Sequence, residues 1–119
     1  MRATLLALGS LALLACGEDS TSPPLATPSD VLIVSGASGL GANAYNPNNL
    51  TFSLASKQTV KWRNDDGTTH TVTADGGGGF NSGNIGDGET FTFTFATAGV
   101  YPYHCTIHPT MVGTITVNP

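Results

Sequence analysis

The sequence predicts an all-β chain, an antiparallel Greek-key β-sandwich of seven or eight short strands. Three observations carry that expectation. The 119 residues include 15 Gly, 7 Pro and 17 Thr, a turn-rich composition, and no long Ala/Glu/Lys/Leu run marks a helical bundle. Apolar and polar residues alternate with period two, most clearly Phe91, Phe93 and Phe95 against Thr92 and Thr94. Turn clusters recur between short apolar runs, which is how a sandwich is punctuated.

The elements follow in order. Residues 1–15 read as an export signal: Arg2 opens the stretch, and the apolar run after it is shorter than the ~20 residues a membrane span needs. Leu13-Leu14-Ala15-Cys16 resembles a bacterial lipobox, so Cys16 is expected to be the lipidated first residue of the mature chain; the alternative is an ordinary signal that happens to contain Cys16. Residues 16–29 are polar and Pro-rich, with Pro23, Pro24 and Pro28, and read as a flexible tether to a membrane. Residues 30–119 read as the folded domain.

Within that domain residues 31–34 form a β-branched start, and Gly36, Gly39 and Gly41 mark a turn or bulge. Leu50 and Phe52 belong to a strand after the turn at residues 46–49. Val60, Trp62 and Asn64 alternate with Lys61 and Arg63, a half-buried strand broken by Asp65-Asp66-Gly67. His70, Val72 and Ala74 are expected on one face of the next strand, opposite Thr71 and Thr73, before the glycine loop at residues 76–79. Tyr101, Tyr103 and Cys105 share a face of a later strand, so His104 is expected to point the other way. Ile115 and Val117 face inward from the last strand.

Charge excludes one class of partner. Four Lys and Arg against eight Asp and Glu leave a net charge of −4, the wrong balance for nucleic acid. Asp65, Asp66, Asp75, Asp87 and Glu89 read as a solvated acidic surface.

The reactive inventory is short: two Cys, three His and two Met. Cys105, His108 and Met111 form Cys-x2-His-x2-Met between two strand patterns, and His70 lies upstream on a strand near a turn. A thiolate, two imidazoles and a thioether select a thiophilic redox metal. Two His and one Cys in a plane with a weak axial Met is the blue-copper arrangement, whereas structural zinc takes four strong ligands. No carboxylate lies inside the motif, which counts against calcium, magnesium and non-haem iron.

The segment Tyr101-x-Tyr103-His104-Cys105-x2-His108-Pro109-x-Met111, with Trp62-x-Asn64-x5-His70 upstream, resembles the cupredoxins of the plastocyanin and amicyanin group over residues 31–119. The short spacing from His108 to Met111 is closer to amicyanin. The resemblance implies a Cu(I)/Cu(II) electron carrier, not an enzyme, with one type 1 copper ion held by His70, Cys105, His108 and Met111. It implies transient docking of redox partners through an apolar patch of Ile107 and Pro109 around His108. Many relatives carry Asn directly after the first His and use it to tie the two ligand loops together. This chain has Thr71, whose hydroxyl can donate one such bond; the alternative is a solvent-facing strand Thr. His108 must be neutral to bind metal, so the midpoint potential is expected to rise as pH falls.

Together these readings place a monomeric, lipid-anchored carrier on the periplasmic or outer face of a bacterial membrane. A copper chaperone or storage protein would use the same ligands and hand over the ion instead. A multicopper oxidase domain would need more than the three His present.

Overall fold

The computed structural model describes residues 28–77 and 79–119; the signal stretch, Cys16 and nearly all of the tether lie outside them. Among the described residues, eight strands form two four-stranded sheets. In the first, β1 (Val31–Ile33) lies between β2 (Tyr45–Asn46) and β4 (Thr59–Asn64), and β6 (Thr90–Thr94) takes the far edge. In the second, β3 (Asn49–Ser53), β8 (Val112–Asn118), β7 (Gly99–His104) and β5 (Thr73–Ala74) follow one another.

The sandwich is not wholly antiparallel, as the sequence reading had it. β1 pairs parallel with β4 in the register Trp62 on Val31, and β3 pairs parallel with β8 in the register Leu50 on Ile115. The reason is the path of the chain. After the β1–β2 hairpin it crosses to the second sheet for β3 and returns beside β1, and such a crossover brings strands back in the same direction. Short 3₁₀ turns at Ala37–Gly39 and Gly41–Asn43 fill the glycine-marked segment.

The core sits where the inward faces meet. Val60, Trp62 and Asn64 of β4 are fully buried while Arg63 is exposed, as period two requires. Trp62 packs against Phe91 at 5.6 Å and edge-on to Tyr103 at 5.8 Å. Phe80 completes the cluster against Trp62, Phe93, Phe95 and Tyr103. Gly113 stands opposite Tyr103 in the β7–β8 register, and a Cβ there would lie 2.5 Å from the Tyr103 ring. Glycine is therefore what lets the tyrosine lie flat across β8. This aromatic block supports one end of β7, from which the loop carrying Cys105 and His108 emerges.

Candidate metal centre

Two loops build the site, and their anchors are legible residue by residue. The first runs from β4 to β5. Asn64, the last residue of β4, is fully buried and donates from Nδ2 to the carbonyls of Thr68 (2.8 Å) and Ile85 (2.9 Å). Its Oδ1 accepts the Asp66 N–H at 2.9 Å. One amide thereby folds residues 65–70 back on themselves. His70 then makes a two-way backbone bridge with Ile85, which aims its side chain inward. The second loop joins β7 to β8 and is closed by its own backbone: Cys105 N–H donates to Met111 O at 3.1 Å, and Met111 N–H to His108 O at 2.9 Å.

The two loops bring three donors together. His70 Nδ1 lies 3.8 Å from Cys105 Sγ, His108 Nδ1 lies 3.9 Å from it, and the two nitrogens are 3.2 Å apart. A triangle with these sides has a point about 2.1 Å from every corner, within the ~2.0–2.3 Å of N and S bonds to a late first-row ion. The spacing of the three donors therefore fits one metal ion between them. Cys105, His70 and Met111 are fully buried, and His108 is half-buried at the surface. Cys105 is a free thiol.

Asp66 is the main correction to the sequence reading. It is 8% exposed, not a solvated surface group, and its Oδ2 lies 2.8 Å from His70 Nε2. Its Oδ1 accepts the N–H of Gly36 at 3.2 Å, at a residue whose φ of +79° glycine accommodates most readily. The hydrogen bond from His70 holds the Asp66 carboxyl below the usual carboxylate range, more than burial raises it. An ionised carboxylate only accepts, so His70 Nε2 carries the proton and Nδ1 presents its lone pair to the site. Nothing in the local run Asp65-Asp66-Gly67 separates Asp66 from its neighbour; its spacing of four residues from His70 was the available signal.

Thr71 is also buried, at 3% exposure, where alternation predicted the opposite face from His70. Only Thr73–Ala74 is regular strand here, so period two does not extend back to Thr71. Its Oγ1 accepts the Thr106 N–H at 2.8 Å and contacts the hydroxyls of Thr73 and Thr106. Its own N–H points at Cys105 Sγ, 3.3 Å away. One threonine thus spans both loops. Tyr45, missed from sequence, donates its hydroxyl to Thr71 O at 2.7 Å; burial, then Cys105, pushes its pKa far up, so it stays a neutral donor.

His108 has exposed apolar residues on both sides of it in the chain. Ile107 and Val112 are 46% and 41% exposed, and Pro109 is exposed. Leu40, also exposed and also missed, belongs to the turn beside this loop, where Asn48 Nδ2 bridges the carbonyls of Ala42 and Val112 at 2.6 Å each. His104 turns away as expected and meets Asp75 at the surface.

A buried thiol and two convergent imidazoles at the end of a two-sheet sandwich define a mononuclear copper protein. The profile of the cupredoxin-like domain matches residues 9–117, and the chain belongs to that family. It is similar to a purple cupredoxin from Nitrosopumilus maritimus, at 32% identity over 76% of this chain and 100% of that chain, with a TM-score of 0.67. A reduced amicyanin variant is 28% identical over 60% of this chain and 70% of that one, with a TM-score of 0.55. A copper-containing nitrite reductase from Thermus scotoductus SA-01 is 27% identical over 77% of this chain and 22% of that one, with a TM-score of 0.62. Comparison with curated proteins gives no match. The cofactor is a single copper ion.

Proposed function

We propose that this protein is a type 1 blue copper carrier that moves single electrons between transient redox partners outside the cytoplasm. The observation that carries the reading is the convergence of His70 Nδ1, Cys105 Sγ and His108 Nδ1 to within 3.9 Å of one another. In this reading those three atoms would be the strong ligands to copper, and the thioether of buried Met111 would be a weaker fourth. Copper supplies the one-electron Cu(I)/Cu(II) couple.

The chain does the rest. The backbone bonds that close the 105–111 loop, and the Thr71 tie between the loops, hold the donors in one arrangement whichever oxidation state is present. Burial of Cys105 and Met111 keeps water from the sulfurs. His108 is the ligand nearest solvent, and Ile107 and Pro109 beside it form the patch on which a partner docks, extended by Leu40 and Val112. A small patch of this kind suits a brief contact, the usual mode of redox encounters. The protein is a carrier and not an enzyme: the nitrite reductase match spans only 22% of that longer chain, so its activity is not carried over. Lipidation at Cys16 and the tether at residues 16–29 would hold a monomeric domain at the outer face of a bacterial membrane.

Visible and EPR spectra of the copper-loaded protein test the proposal. The expected result is an intense thiolate-to-Cu(II) band that vanishes in Cys105→Ser. Copper must also stay bound through repeated reduction and oxidation; loss of the ion on cycling would favour a copper chaperone over an electron carrier.

A further inference from the structure

Behind His70, on the side away from the donors, stands a group that the ligand set does not use. Asp66 Oδ2 meets His70 Nε2 at 2.8 Å, with the imidazole at 0% exposure. Asp66 is held at two further points: Gly36 N–H donates to its Oδ1, and its backbone N–H donates to Asn64 Oδ1. Asn64 is itself buried and bound to two carbonyls, so the position of the charge is set by the core rather than by a mobile side chain.

We propose that Asp66 is a positioning residue for the copper couple, which locks the His70 tautomer and lowers the redox potential by placing a fixed negative charge behind one ligand. The inference rests on the copper reading above. A partner on the far nitrogen of a ligating imidazole fixes the ring and raises its basicity. A nearby anion favours the more positive of two charge states, and the effect is strong where burial limits screening. Cu(II) therefore gains more from Asp66 than Cu(I) does.

The molecule contains its own control. Asp75 makes the same kind of contact to His104, which the donor triangle does not include, and the side chains there are 45% and 30% exposed. Neutralising either carboxylate removes one charge, but only Asp66 is coupled to the site.

The experiment compares the wild type with Asp66→Asn, Asp66→Glu and Asp75→Asn. Cu(II) and Cu(I) affinities are measured by chelator competition, and midpoint potentials by titration. Asp66→Asn is expected to lose at least ~10-fold in Cu(II) affinity relative to Cu(I), each tenfold being ~59 mV of upward shift for one electron. Asp66→Glu, which keeps the charge, should shift less, and Asp75→Asn should leave the ratio within about twofold. Equal losses for both oxidation states in Asp66→Asn would reduce the residue to a structural role and overturn the proposal. Equal shifts in Asp66→Asn and Asp75→Asn would overturn it as well.

Nitrogen NMR of His70 in the copper-free wild type needs no variant to fold. Nε2-protonated imidazole is expected, and an Nδ1-protonated ring would overturn the proposal. Failure of the electron-carrier reading appears separately, as a wild-type protein without the thiolate band.

Discussion

Two carboxylate–histidine pairs, Asp66–His70 and Asp75–His104, use the same chemistry at different depths. In the first the side chains are 11% and 0% exposed, and in the second 45% and 30%. His104 is covalently next to Cys105, yet it points to the surface because β7 alternates its faces. His70 is 35 residues from Cys105, yet its Nδ1 is 3.8 Å from the sulfur. Proximity along the chain therefore does not bring a ring to the donor cluster; the face of the strand and the loop that delivers the ring do. An exposed pair of the second kind contributes about 0.2–1 kcal/mol and weakens with salt. The buried pair orients a ring on which a metal site depends.

The sharpest way to break this comparison is to remove each histidine. His70→Ala is expected to abolish the thiolate band and lower copper affinity by more than ~100-fold. His104→Ala should leave both essentially unchanged. Spectra and chelator competition on the two variants read the contrast directly; a comparable loss in both would dissolve it.

The next test concerns the inward neighbour of His104. Gly113→Ala places a methyl 2.5 Å from the Tyr103 ring, which is pinned by Tyr45, Trp62 and Phe80. Overpacking of this kind costs about 1–3 kcal/mol. Thermal unfolding of the copper-free chain should show it as a drop of roughly 4–8 °C per kcal/mol.

Between the pairs stands Thr71. Thr71→Val removes the acceptor of the Thr106 N–H and should cost about 1–3 kcal/mol by chemical denaturation. Thr71→Ser should recover most of that loss, because the hydroxyl carries the tie.

The smallest expected effect is in pH. The folded Asp66 carboxyl titrates below its unfolded value, with the His70 hydrogen bond as the largest cause. The stability it contributes is complete above the unfolded pKa of about 4 and is lost as pH falls through the lower folded value. Unfolding midpoints of the copper-free protein between pH 7 and 3 should fall less steeply in Asp66→Asn than in the wild type.

The legibility of this protein in its sequence follows the range of the interactions. The alternation in β4 and β8, with Trp62, Ile115 and Val117 inward, was readable because a pleated strand turns every second side chain to one face. The donors His70, Cys105 and His108 were readable as a set because their residue types and the tight loop spacing narrow the metal. The burial of Thr71 was not readable, because residues 70–72 are held by isolated bridges and loop contacts rather than by a ladder. Leu40 and Tyr45 belong to a segment marked only by its glycines, and their place beside the ligand loop depends on a turn packed against β8. The parallel pairings were equally hidden, since strand direction depends on which sheet the chain enters after each turn.

An all-β architecture, its inward faces and a soft donor set follow from local rules: side-chain period, turn chemistry and ligand softness act over a few residues. Which carboxylate reaches the back of His70 follows from none of these. Asp65 and Asp66 are adjacent and chemically identical, and one is in an exposed ion pair with Arg63 while the other lies buried against an imidazole. Asn64, Gly36 and Ile85 make that choice from three separate parts of the chain, because only long-range packing can assemble a pocket that favours one of two equal neighbours.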